Sequence, residues 1–131
     1  MTIHKLNSSD LENDYTLLAI HSSAEAYKLA FKINLKIKTN LEKSPFDITF
    51  GDDNSIFELY KHVSETYNTI LYLISNKSYE KEKADSPSLF DNLSVSKYLI
   101  PELKKAEYLI KIEGGGFKID SLIKKLNEID L

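Results

Sequence analysis

The 131-residue chain has no cysteine. That excludes disulfides, thiolate nucleophiles and sulfur-ligated zinc, and it fits a reducing compartment. No stretch approaches the roughly 20 apolar residues of a membrane-spanning helix. The opening Met1-Thr2-Ile3-His4-Lys5-Leu6 lacks the apolar run of a secretory signal. A cytoplasmic protein without membrane association is therefore expected. Glycine (4) and proline (3) are scarce and 42% of the residues are hydrophobic, which argues against disorder over most of the chain. Positive charge is also in deficit. With a formal net charge of -3, the whole molecule offers no cationic field to a polyanion, and nucleic-acid binding is disfavoured except through a local patch.

Motifs that carry chemistry are missing too. Neither G-x-S-x-G nor H-E-x-x-H occurs, and no dinucleotide fingerprint or P-loop is complete. His4, His21 and His62 lie far apart in sequence, and nothing in the pattern joins one of them to a nucleophile and an orienting acid. Asp52-Asp53-Asn54 lacks the alternating oxygen spacing of a calcium loop and reads as a hairpin turn. Gly114-Gly115-Gly116 precedes a helix, where backbone amides attract phosphate, but a tight strand-to-helix passage accounts for the run equally well. No catalytic residue, metal site or cofactor is expected, and the residues favour binding over catalysis.

What is present points to one α+β domain spanning residues 1–131. A chain of this length buries roughly 68% of the surface its unfolded form exposes, so one core suffices. Asp14 to His21 is a short apolar run that reads as a strand buried on both faces. Ser22 and Glu25 have capping-box spacing, which predicts a helix starting there. Its buried stripe would be Ala26, Leu29, Ala30, Ile33 and Ile37, with Tyr27 and Phe31 on a flank. The stretch 31–38 also alternates as a half-exposed strand would. The cap favours helix to about residue 36. Lys28, Lys32, Lys36 and Lys38 form a basic strip along it.

Strands are expected over 46–50, 56–63 and 67–74, turning at 51–55 and near 64–65, as a three-strand meander in which the most apolar run, Tyr67 to Ile74, is central. Residues 77–96 form a polar loop long enough to be either functional or disordered. Pro101 begins a short helical turn. A strand over 106–113 and a helix over 118–130 follow, the helix carrying Ile119, Leu122, Ile123, Leu126 and Ile129 as its stripe. The resulting architecture is a mixed, mostly antiparallel sheet of about five strands, with two main helices packed on one face.

The segment Ile100-Pro101-Glu102-Leu103-Lys104-Lys105-Ala106-Glu107-Tyr108 resembles the I-P-E-x-x-x-V-D-Y signature of the IPExxxVDY family of small Bacteroidetes proteins. Ala106 and Glu107 stand where the signature has Val and Asp. Tyr27 to Leu41 is similar to that family's first helix and following loop. The resemblance implies homology from Asp14 through the last helix and brings no activity with it. In structural terms Ile100 and Leu103 fill core positions, while Tyr108 buries its ring and keeps its hydroxyl at the rim.

Candidate binding residues are Glu102, Glu107 and Tyr108 in the signature, Asn76 and Lys77 at the end of the apolar strand, and Leu89 and Phe90 as an anchor in the polar loop. Three functions are compatible. The first is a non-catalytic module for a cytoplasmic protein partner or a second copy of the chain, for which eight tyrosines are useful. The second is an RNA-associated accessory factor using the Lys28 to Lys38 strip. The third is a small-molecule-binding or enzymatic role in a pocket near Asn76, His21 and Glu107.

Overall fold

The run read as buried on both faces and the apolar run read as central form strands 15–21 and 69–75, which lie on either side of the strand 108–113 in the middle of one antiparallel sheet. This computed structural model describes residues 1–6, 15–45, 48–50, 55–78 and 98–130, with backbone alone at 48–50 and 55. In chain order the elements are β1 (Thr2–Leu6), β2 (Tyr15–His21), α1 (Ala26–Ile37), β3 (Glu42–Lys43), β4 (Ile48–Phe50), β5 (Ser55–Phe57), β6 (Leu59–Ser64), β7 (Thr69–Ser75), a 3-10 turn (Pro101–Leu103), β8 (Tyr108–Glu113) and α2 (Ile119–Asn127). The main sheet is ordered β1-β2-β8-β7-β6-β3, and β4 and β5 pair separately. Among the described residues every pairing of these strands is antiparallel.

Period-2 alternation in β2, β7 and β8 sends Leu18, Ile20, Leu71, Leu73, Ile110 and Ile112 to one face. There they meet Leu29 and Ile33 of α1 and Leu122 and Leu126 of α2 in a single buried cluster. Both helices thus cover the same face. On the opposite face Ala19, Ile74 and Leu109 pack with Leu99 and with Ile100, Leu103 and Ala106 of the signature segment. The 3-10 turn is therefore the lid over one end of that face.

The α+β architecture and the choice of helix to about residue 36 stand, α1 ending at Ile37 with Lys38 as its left-handed C-cap, and four details differ. Among the described residues the main sheet has six strands rather than about five, because the edge strands β1 and β3 carry little signal in the sequence. An edge strand needs few inward residues, and β1 buries only Ile3. Helix α1 begins at Ala26 with Glu25 as N-cap and no side-chain cap; the Ser22 hydroxyl instead accepts from the Ala24 amide at 3.2 Å. The expected strand 56–63 is divided at Glu58, its first part pairing with β4 and its second with β7. Alternation reports which face a residue takes and says nothing about which partner each half of a run will choose. The meander accordingly runs β6, β7, β8, without 46–50. The 51–54 turn and most of the 77–96 loop lie outside the described residues.

Candidate functional site

The end of β7 sits against the signature segment, and Asn76 joins them. Asn76 is fully buried. Its Nδ2 donates to the carbonyls of Leu103 (3.0 Å) and Ala106 (2.9 Å), and its Oδ1 accepts from the Ile100 amide at 2.8 Å. Its own amide donates to the Glu107 carbonyl, and its carbonyl accepts from the Leu99 amide, both at 2.8 Å. An asparagine is suited to this place because one side chain offers two donors and an acceptor. With those in use, the turn that Pro101 starts is fixed in position and the buried polar groups are satisfied.

The signature then reaches across to the loop between β2 and α1. Glu107 Oε2 accepts from the Ser22 amide at 2.8 Å, and the Tyr108 hydroxyl donates to the Ala24 carbonyl at 2.6 Å. Burial pushes the Tyr108 hydroxyl up to about 12, with the carboxylates of Glu58 and Glu107 adding to the effect. His21 Nδ1 lies 2.7 Å from the Lys105 carbonyl oxygen. A carbonyl only accepts, so Nδ1 carries a proton in this contact. The His4 ring stacks on His21 with centroids 5.0 Å apart. Two histidines that look unrelated in sequence are thus neighbours, while His62 stands apart, its Nδ1 accepting from the Asn40 amide.

This pinned loop borders an open concavity of about 590 Å³, lined among others by His21, Ser22, Glu25, Tyr27 and Lys28. The Tyr27 hydroxyl donates a hydrogen bond to the Glu25 carboxylate, and this, with the carboxylate's charge, raises that phenol above its ordinary range. Among the described residues no three histidine, aspartate or glutamate side chains converge on a common point.

From the concavity, α1 runs outward with an unusual exterior. Tyr27, Phe31 and Leu35 are 64%, 58% and 55% exposed. Spaced four residues apart, they form one row along the helix. Lys28, Lys32 and Lys36 form a second row about 100° further round, and α1 contains no acidic residue. Lys36 pairs with Glu128 at 3.0 Å. The other end of the sheet also carries aromatics and cations, but they engage one another: Lys111 lies 4.7 Å from the Tyr15 ring centre and 3.1 Å from the Glu113 carboxylate.

Of the residues singled out in the sequence, Asn76, Glu107 and Tyr108 form one hydrogen-bonded unit. Lys77 is next to it, exposed and bridged to Tyr98. Glu102 is exposed on the 3-10 turn, and Leu89 and Phe90 lie outside the described residues. Leu35 escaped notice as a surface group because it also fits the competing strand pattern; its i+4 spacing from Phe31 was the available signal. No family model matches the chain, and neither a curated protein nor a solved structure matches it.

Proposed function

We propose that the chain is a non-catalytic cytoplasmic protein-binding module and that the outer face of α1 is its docking surface. One observation carries this: three large apolar side chains stand in a row on a helix whose opposite face is fully used by the core. Scattered exposed apolar residues are normal, but an aligned row is what helix-mediated recognition uses as anchors. Aromatic side chains are enriched at such interfaces. Membership of the IPExxxVDY family belongs to the same proposal, supported by residues 100–108. The hydrogen bonds of Asn76, Glu107 and Tyr108 give that segment a structural task, holding the loop from which α1 departs, and this agrees with a module whose signature serves its fold.

A second copy of the chain fits the row less well than a different protein. An antiparallel two-fold pairing of α1 with itself brings both lysine rows to the same side, where they repel. An RNA-associated role is the second reading, supported by the lysine row beside Tyr27 and Phe31, since bases stack on aromatic rings. Affinity capture from the cells that express the protein separates the two. The expected result is a protein retained by the wild type, insensitive to ribonuclease and lost with Phe31→Glu at an unchanged unfolding midpoint. Retention abolished by ribonuclease would favour RNA, and no retained partner would refute both.

A further inference from the structure

Resting on that reading, we infer that the partner presents an acidic amphipathic helix, laid along α1 with its apolar side on Tyr27, Phe31 and Leu35 and its carboxylates on Lys28 and Lys32. From Tyr27 to Leu35 the apolar row rises through eight residue steps, about 12 Å, which two turns of a facing helix match. Along that length α1 offers only positive charge, in a chain with 20 acidic and 17 basic residues. Among the described residues Lys28 and Lys32 make no ion pair, whereas Lys36 is held by Glu128. An interface that buries the apolar row brings these two ammonium groups to its rim, and carboxylates opposite them complete it; rim charges of this kind steer encounter and fix register.

The same charge is a poor fit to other polyanions. Lys28 and Lys32 neutralise few phosphates, the net charge of -3 repels a nucleic acid at longer range, and Leu35 has no ring on which a base can stack. A lipid surface is served no better. The row of Tyr27, Phe31 and Leu35 is a small area to insert, and the more apolar side of α1, with Leu29, Ala30 and Ile33, is buried in the core.

The test places a photo-cross-linking residue in the full chain, Leu35→p-benzoylphenylalanine, in cells that express the protein, and identifies the joined species by mass spectrometry. The expected product is a protein segment rich in Asp and Glu with apolar residues three or four apart. Its yield falls about tenfold with Lys28→Glu plus Lys32→Glu, survives Lys28→Arg plus Lys32→Arg, and drops when wild-type lysine positions are assayed at raised salt. A neutral or basic segment, a yield indifferent to charge reversal and salt, or a product joined to RNA, lipid or a second copy overturns the inference. A protein segment of the wrong charge leaves the docking role of α1 intact, while absence of any cross-linked product overturns that role itself.

Discussion

At the scale of single residues, Asn76 sets the terms on which the signature segment folds. Replacing it with Ala removes two donors and an acceptor, leaving the Ile100 amide and the Leu103 and Ala106 carbonyls without that partner. Unsatisfied buried groups of this kind cost about 1–3 kcal/mol each, partly recovered by water. Asn76→Ala is therefore expected to lower stability by about 3 kcal/mol, read by urea unfolding, with the Ile100 amide exchanging faster than amides of the core strands. Tyr108 makes a pH prediction. Its hydroxyl is raised from 10.0 to about 12, so between those values the folded chain keeps a proton that the unfolded chain releases. Stability contributed by this group is complete below pH 10 and declines as the pH rises towards 12. Tyr108→Phe should lose the hydrogen bond to Ala24, costing about 1 kcal/mol, and should flatten that decline in alkaline unfolding curves. The sequence marked Asn76 by its place after an apolar strand and Tyr108 by its motif. It did not reveal that their polar atoms serve backbone groups, because the Leu103, Ala106 and Ala24 carbonyls turn towards them only once the turn and the loop have formed.

At the scale of elements, hydrophobic spacing was readable wherever a long segment met one environment. The stripes of α1 and α2 emerged from it because each helix has a single buried side, and β8 emerged as an apolar run, with Ile110 and Ile112 on one face and Leu109 on the other. It failed where two partners compete for one segment. The Ser22 amide goes to Glu107, 85 residues away, and not to Glu25, so the local cap signal pointed to the right loop and the wrong first residue. The glycine run shows the same non-local control. Gly114 has φ +95°, and a Cβ there would collide with the Asn68 carbonyl oxygen; at Gly116 it would collide with Thr69 Oγ1, which accepts the Gly116 amide at 3.0 Å. Gly115 faces open space. Gly114→Ala is thus expected to cost about 2 kcal/mol, while Gly115→Ala stays within about 0.5 kcal/mol of the parent. Thermal unfolding of the two variants decides whether the run is there for close approach to the β6–β7 turn. Equal effects at both positions would discard that account.

At the scale of the whole molecule, the two long sides of α1 answer to different demands. Leu29 is fully buried beneath the helix, whereas Phe31, two residues on, is 58% exposed above it. Burial of the first against β-strand side chains is part of the core, so Leu29→Ala should cost about 3 kcal/mol through lost transfer energy and the cavity left behind. Phe31→Ala removes a larger side chain and should change stability by no more than about 0.5 kcal/mol, because most of that surface is already in water. If the row exists for a partner, the order reverses in the capture assay. Phe31→Ala then weakens retention at full stability, while Leu29→Ala retains the partner under conditions where the variant is still folded. Urea unfolding of the two variants, run beside capture at a temperature well below either midpoint, measures both orders on the same preparations. A Phe31→Ala variant as unstable as Leu29→Ala would mean that the row belongs to the fold, and the docking surface would have to be sought elsewhere.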